Sequence, residues 1–521
     1  MSKTLSPKEN GAPPSDRDVI IVGAGPAGLT AALLLAEKGW HPIVLEADPR
    51  YVGGISRTVE HEGYHFDIGG HRFFSKAREV EEFWSRVLPD DMLTRPRKSR
   101  IFYGGGFFSY PLKPVEALLR LGPVESARCM LSFAHARVRP IPDPKNFEDW
   151  VRNQFGRRLY EIFFKHYTEK VWGMSCRELS ADWAAQRIKS LSLGAAVVEA
   201  IKSSIPGFVS KGGGDRAQVH TTLIDEFRYP RKGPGQLWEE CARKVKALGG
   251  EVRMGARVVA MSRAAGSASG EGAWTVRYEQ GGKTEELSAR QVISSAAIRD
   301  VVASLEPAPA PELQHAAKSL RYRDFLTVAL MVRDRDAFDD NWIYIQEPHV
   351  KVGRIQNFKA WSPEMVPAGD TACYGLEYFC FEGDGLWAST DEALIELATS
   401  EIETLGLTKR EDVRGGCVVR QPKAYPVYDD AYARHVDTVR DVVARDHEGL
   451  FLVGRNGMHR YNNQDHSMMT AMLTVENIVS GTQKFDPWRV NQDAEYIEAG
   501  TSGEEQLIEA GGRSIPRAVA R

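Results

Sequence analysis

Apolar and polar positions along the chain change period several times, and each change marks an element. Val19–Val22 is a short apolar run, the signature of a buried parallel strand. Ala27–Lys38 carries a helical pattern that stops at Gly39, and Ile43–Leu45 is a second apolar run. "YHFDI" (64–68) reads as a strand, and "IFYGGGFFSYPLK" (101–113) as a hairpin with a glycine turn followed by extended chain. Residues 114–205 are mostly helical by pattern, most clearly in "FEDWVRNQFGRRLYEIFFKHYTEKVWG", and a Gly- and charge-rich loop (210–218) ends that unit. A loop and amphipathic helix follow (231–250), then the strands "EVRMGARVVAMSR", "WTVRYEQ" and "ARQVISSAA". From 322 to 425, strands such as "DFLTVALMV", "NWIYIQ" and "ACYGLEYFCF" alternate with loops and one helix (391–405). "GLFLVGRNG" and the helix "DHSMMTAMLTVENIVSG" complete the pattern.

Composition narrows the class. With 521 residues, two or three packed units are expected. The chain is 42% hydrophobic and 26% charged, with a net charge of −3, so no global field favours nucleic acid or an anionic membrane. No apolar run reaches about 18 residues, which excludes a spanning helix. The first 17 residues are polar and read as a disordered leader without the apolar core of a signal peptide. Cys129, Cys176, Cys241, Cys373, Cys380 and Cys417 are scattered with no Cys-x-x-Cys pair, as expected for free thiols in a cytoplasmic protein, with no metal site.

The strongest chemical signal follows the first strand. Gly23, Gly25 and Gly28 give Gly-x-Gly-x-x-Gly, Pro26 suits a helix start, and Glu46 closes the second strand. The glycines allow a tight turn and bring a pyrophosphate close to the helix N-terminus. Glu46 can accept ribose hydroxyls. Gly53, Gly54 and Arg57 extend the phosphate cradle, since a guanidinium fork suits a diphosphate. This second glycine pair resembles the flavoprotein group that includes amine oxidases and protoporphyrinogen oxidase, which implies FAD rather than NAD. The expected fold is α/β. A Rossmann-type, glutathione-reductase-like FAD domain (18–100, 231–300 and 445–485) is interleaved with a mixed-sheet substrate domain (101–113 and 322–440). A helical domain (114–215) and a peripheral tail (486–521) complete it.

A distributed set of motifs then resembles the UDP-galactopyranose mutases, the eukaryotic type in particular. The pieces are "YHFDIGGHRFFSK", "SYPL", "YTEKVWGMSCRELSADWAAQRI", "FRYPRKGPGQLW", "NWIYI", "GRIQNFKAWSP", "AYPVY" and "GRNGMHRYNNQDHSMM", in family order from about 18 to 480. The resemblance implies a mutase that uses reduced FAD, with N5 as nucleophile at the anomeric carbon of a nucleotide sugar and no net redox. Such an enzyme interconverts pyranose and furanose forms and serves cell-surface polysaccharide biosynthesis. Arg187 and Arg354 match the two diphosphate arginines. Tyr344, Tyr425 and Tyr461 match tyrosines that donate to the same phosphates, and Tyr110 and Trp342 fall on the substrate side. Val258 matches the backbone position that pairs with adenine. Gly454 and Arg455 fall near the flavin phosphate or ribityl chain, and Asn463 and Gln464 at the helix start by the pyrimidine. Gly69 and Gly70 let the main chain approach the flavin ring, and the resemblance places the His71 carbonyl against N5.

Departures from the family pattern leave the nucleotide base and the sugar open. Leu112 and Lys113 stand where eukaryotic-type members carry Phe-Gln, Thr168 replaces an Asn, and the segment from Tyr461 to the last helix is about two residues shorter. A nicotinamide nucleotide, NADPH bound transiently in the substrate cleft, is one candidate reductant, although no second glycine fingerprint exists. Two other readings compete. One is an oxidase or desaturase of the protoporphyrinogen oxidase or amine oxidase type, with Arg120, Arg128, Arg137 and Arg139 beside leucines offering a peripheral membrane contact. The other is a non-catalytic flavin- or nucleotide-sugar-binding protein. Oligomeric state is not legible.

Overall fold

Four apolar residues in succession leave the strand Asp18–Val22 with no wet face, and it takes the centre of a five-stranded parallel sheet. The order is Leu450–Leu452, Gln291–Ser294, Asp18–Val22, His41–Glu46, Glu251–Met254. Helices Pro26–Glu37, Pro234–Ala247 and Gln464–Ser480 cover one face, where Leu29, Leu33, Leu237, Trp238 and Met468 pack against Val19 and Ile21. On the other face lie Ile20 and Val22 with Trp274, Tyr278, Leu313 and Val439. That face is closed by a separate four-stranded sheet rather than by an extension of the first. It contains Arg257–Arg263, Trp274–Gln280, Lys283–Ala289 and Leu305–Glu306.

The structure is a computed structural model describing residues 16–110, 112–179, 181, 225–263, 272–429 and 431–490. The leader up to residue 15, Arg187, the loop 210–218 and the tail beyond 490 lie outside the described residues.

A seven-stranded mixed sheet forms the second layer. Its order is Val413–Pro426, Tyr322–Arg333, Thr371–Cys380, Arg354–Asn357, Trp342–Ile345, Ser99–Tyr103, Gly106–Ser109. Pairing is antiparallel except where Trp342–Ile345 runs parallel to Ser99–Tyr103. Every residue of Thr371–Cys380 is buried, so both faces are covered. Helix Asp391–Thr404 packs on one side through Leu394, Ala398 and Ile402, while Phe66, Tyr229, Phe358 and Trp361 fill the other.

The helical unit contains Pro114–Val138, Phe147–Phe155, Arg157–Tyr160, one π turn (Glu161–Lys165) and His166–Trp172. Asn146 caps the second of these by accepting from the Asp149 N–H at 2.9 Å. The first breaks at Gly122, where φ is +79°. Among the described residues no helix is long and apolar enough to cross a membrane, and no group of His, Cys, Asp and Glu is arranged to hold a metal. All six cysteines are free, and burial pushes the thiols of Cys129 and Cys176 up to about 11 and about 12.

Candidate active site

A cavity of about 930 Å³ runs from the carboxyl ends of the parallel strands to the mixed sheet. At its first end the glycine loop leaves the strand Asp18–Val22 with Gly23 at φ +97°, and the Ala24 N–H donates to Glu46 Oε2 at 2.6 Å. The Asp48 N–H donates to Glu46 Oε1 at 2.8 Å, which fixes the carboxylate at the cavity wall. Burial pushes the Glu46 pKa up, and these backbone donors pull against it. Gly54 and Gly25 pack back to back: a Cβ on Gly54 would lie 3.3 Å from the Gly25 Cα. Gly53 has φ +99° and donates its N–H to the Ala24 carbonyl at 2.8 Å. Gly28 lies behind the cavity wall, and a Cβ there would meet the Gly23 carbonyl oxygen at 1.9 Å. Arg57 donates to the Gly54 carbonyl (2.9 Å) and to Gln421 Oε1 (2.6 Å). Val258 lines the wall just before a bulge in its strand.

In the middle of the cavity Gly454, at φ +82°, opens a short turn, and its N–H donates to Thr470 Oγ1 at 2.9 Å. Arg455 donates to the carbonyls of Ala424 (2.8 Å) and Asn462 (3.1 Å). Its guanidinium lies over the rings of Tyr425 and Tyr461, 4.9 and 4.2 Å from their centroids. Asn463 caps the helix Gln464–Ser480 in a reciprocal box with His466. Gln464 Nε2 donates to the Arg72 carbonyl at 3.1 Å.

His71 sits against this turn, half-buried in the cavity wall. Its Nε2 bonds to the Ile68 carbonyl at 3.0 Å, and Nδ1 faces Ser56 Oγ at 3.5 Å. Burial lowers its pKa to about 4, opposed by the Ile68 bond and helped by the Arg455 and Arg354 charges. The imidazole is therefore neutral at neutral pH and bonded to its own loop, an arrangement for holding that loop rather than for moving a proton. Gly69 and Gly70 lie between this ring and the far end of the cavity. A Cβ on Gly70 would meet Gln356 Nε2 at 3.0 Å and Trp361 at 3.1 Å.

That far end holds charge. Arg354 pairs through Nε with Glu377 Oε2 at 2.5 Å, and Glu377 is completely buried. The sheet register produces the pair directly, because Arg354 and Glu377 are opposite partners. Gln356 Nε2 donates to Glu377 Oε1 at 2.8 Å, and Trp361 Nε1 donates to Gln356 Oε1 at 3.0 Å. Burial works against the Arg354 charge, but the Glu377 carboxylate outweighs it and the guanidinium holds its proton more tightly than usual. Tyr425 and Tyr461 stack at 5.7 Å, and burial holds the Tyr425 hydroxyl protonated. Tyr344 and Trp342 line the same wall. Tyr110 stands one layer back, its ring 4.8 Å from that of Tyr344.

Sequence reasoning missed Glu377, Gln356 and Arg97. Arg97 lines the cavity with its guanidinium 5.5 Å from the Tyr110 ring and 5.6 Å from the Trp342 ring. Glu377 had one readable signal: it is the lone carboxylate in the apolar strand "ACYGLEYFCF". Among the buried polar atoms along the cavity without a hydrogen-bond partner are Tyr51 Oη, Trp342 Nε1, Asn456 Oδ1 and Gln464 Oε1. Buried polar atoms in that state call for a ligand. With the Cβ-free cradle of Gly23, Gly25 and Gly54, the Glu46 carboxylate and Arg57, the donor set fits a flavin dinucleotide.

A parallel sheet with a glycine loop at its carboxyl edge, joined to a mixed sheet across one long cavity, is the architecture of a dinucleotide-binding flavoprotein. The chain belongs to the flavin containing amine oxidoreductase family, which it matches over residues 26–462. It is 27% identical over 175 residues to a probable UDP-galactopyranose mutase of Klebsiella pneumoniae, covering 32% of this chain and 44% of that one. It is 28% identical over 170 residues to a dTDP-fucopyranose mutase of Escherichia coli, covering 31% of this chain and 44% of that one. These matches thus span less than half the length of either relative. In fold it is similar to a reduced UDP-galactopyranose mutase, with a TM-score of 0.76 and 21% identity over 91% of this chain and 99% of that one.

Proposed function

We propose that the protein is a flavin-dependent mutase that interconverts the pyranose and furanose forms of a UDP-galactose-like nucleotide sugar. The observation that carries this reading is the Arg354–Glu377 pair: a permanent cation fixed by a buried carboxylate at the end of the cavity away from the dinucleotide cradle. An oxidase acting on an apolar amine or lipid has no need for such a group. A reaction in which a nucleoside diphosphate leaves and returns does. Bound FAD in its reduced form supplies the nucleophile for the anomeric carbon.

The chain's own residues do the rest. Arg354, joined by Arg187, holds the diphosphate oxygens through its fork. Tyr344, Tyr425 and Tyr461 donate phenolic hydrogen bonds to the same anion, and the Trp342 indole N–H offers a buried donor to the substrate. Neutral His71 ties its loop to the Ile68 carbonyl. In this reading segments 18–100, 231–300 and 445–485 hold the cofactor, and 101–113 with 322–440 hold the substrate. The reaction is cytoplasmic, a nicotinamide nucleotide is the reductant, and the product feeds cell-surface polysaccharide.

The test uses purified flavin-loaded protein, dithionite and a panel of nucleotide sugars under anaerobic conditions. The reading expects ring-form interconversion only in the reduced protein, with no net consumption of reductant per turnover. Oxygen uptake by the oxidised protein with an amine or a lipid, and no interconversion, would replace the mutase with an oxidase.

A further inference from the structure

The four most exposed large apolar side chains among the described residues lie on a single element. They are Val138 (79%), Leu119 (78%), Leu131 (72%) and Val124 (66%), all on Pro114–Val138. After the break at Gly122, Val124, Leu131 and Val138 follow at intervals of seven, so they share one face. Ala127 and Ala134 are exposed beside them. At ~1.5 Å per residue this stripe is about 21 Å long. The opposite side of the element faces the core of the helical unit through Ala117 and Cys129. A helix apolar on both sides, at the surface of a chain this polar, calls for a partner.

The charges beside the stripe identify the partner. Arg120, Arg128, His135, Arg137 and Arg139 are exposed around it. The element's two acidic residues are already engaged: Glu116 with Arg120 (3.1 Å) and Ser109 (2.6 Å), and Glu125 with Arg158 and Arg128. A second copy docking here would bring arginines toward arginines with no uncommitted acid on the element to receive them. An anionic lipid surface receives Arg137 and Arg139, which pair with no carboxylate among the described residues, and takes the apolar stripe into the headgroup boundary. The chain as a whole offers no such attraction, since its net charge is −3.

We infer that Pro114–Val138 docks the protein on the surface of an anionic bilayer, with Val124, Leu131 and Val138 inserted and Arg128, Arg137 and Arg139 at the headgroups. The inference is independent of the reaction assigned to the cavity. The docking element begins four residues after Tyr110, whose ring packs on cavity-lining Tyr344.

The experiment is co-sedimentation of the full flavin-loaded chain with vesicles of phosphatidylcholine alone or mixed with phosphatidylglycerol. Binding to the anionic vesicles is expected, weakening as salt rises. Leu131→Ser combined with Val138→Ser should lower the partition coefficient about tenfold or more, because each buried aliphatic side chain contributes that scale of affinity. Arg128→Gln, Arg137→Gln and Arg139→Gln should each cost about fivefold on anionic vesicles and leave phosphatidylcholine unaffected. Bound-flavin absorbance and thermal unfolding should match the parent, since the altered side chains face solvent. Absence of binding to anionic vesicles at low salt would overturn the inference. So would equal binding by the Leu131/Val138 variant, or a parent dimer in sedimentation velocity that this variant dissociates, which would assign the face to a second copy.

Discussion

The two ends of the cavity are built from different materials. The dinucleotide end is mostly backbone: Gly23, Gly25, Gly53 and Gly54 bring main chain close, and Glu46 is fixed by the N–H groups of Ala24 and Asp48. The substrate end is side chain: the Arg354–Glu377 pair, the Tyr425–Tyr461 stack, and Trp342, Tyr344 and Arg97. The first recognises charge through dipoles and close approach. In the proposed function the second recognises it through a permanent cation with its counter-charge buried behind it. The two ends should therefore fail differently, the first by steric contact and the second by electrostatics.

The largest effect belongs to the steric end. Gly28→Ala sets a Cβ 1.9 Å from the Gly23 carbonyl oxygen and 3.3 Å from the Ile21 side chain, neither of which can retreat from the central strand. Overpacking of this kind costs about 1–3 kcal/mol or more, concentrated on the turn that cradles the pyrophosphate. Purified variant should lose the flavin absorbance band almost entirely. Gly385→Ala, where a Cβ meets nothing within 4 Å, should keep it. A flavin-loaded Gly28→Ala protein would show that close packing at this turn is not what holds the dinucleotide.

The electrostatic end should separate binding from turnover. Arg354→Ala should lower turnover by about 10²–10³, the usual loss when a preorganised charge donor is removed, while flavin stays bound. It also strands Glu377 without its cation, a destabilisation of about 3–5 kcal/mol. Adding Glu377→Gln should restore much of the melting temperature and none of the turnover. If the double variant recovers activity as well, Arg354 acts by holding the fold and not by holding diphosphate.

The contrast also explains what could be read in advance. The dinucleotide end was legible because its residues lie close in sequence, with glycines at required offsets and an acid at the strand end. The α/β class and the long strands followed from apolar runs of the right length. Arg354 and the tyrosines were identified only through a family resemblance. Nothing local marks an arginine as lining a cavity, and Glu377 becomes its partner through sheet register across 23 residues. The strands around Arg257–Arg263 were expected in the FAD-binding domain with no sheet assigned to them, because apolar alternation reveals a strand but not its neighbour. Arg97 was invisible for the same reason: its position over Tyr110 and Trp342 is a product of tertiary packing.

Between the two ends lies Asp67, on the strand that leads into the Gly69–Gly70 loop. It is fully buried and accepts from Thr58 Oγ1 at 2.9 Å and Tyr229 Oη at 2.5 Å, with no cation beside it among the described residues. Burial raises its pKa to about 7, against those two donors. The folded protein therefore holds a proton that the unfolded chain has released above about 4. The stability this group contributes is full below that pH and is lost as pH rises through about 7. The slope is up to about 1.4 kcal/mol per pH unit. Urea unfolding of the flavin-loaded protein from pH 4.5 to 8 should show this decline, and Asp67→Asn should flatten it. An unchanged slope in the variant would assign the pH dependence to other carboxyls.

The smallest effects fall on the loop that joins the two ends, where backbone and side chain can be compared directly. A Cβ at Gly70 would press on Gln356 Nε2 at 3.0 Å and Trp361 at 3.1 Å, so loop or sheet must yield by a few tenths of an ångström. Gln356 in turn bonds Glu377, which holds Arg354. The strain therefore reaches the cation as well as the cavity floor. Gly70→Ala should lower turnover of the reduced protein about tenfold, the scale of a 1.4 kcal/mol loss. His71→Asn removes the ring bonded to the Ile68 carbonyl, and the smaller amide can still donate there. A neutral–neutral bond of that kind is worth about 0.5–1.5 kcal/mol, so the loss should be no larger than that of Gly70→Ala. The pH profile should not lose a limb, because the imidazole, with a pKa of about 4, is already neutral. A loss in His71→Asn far beyond that of Gly70→Ala, with a missing limb, would make the imidazole a proton carrier. It would also move the loop from the steric end of the comparison to the electrostatic one.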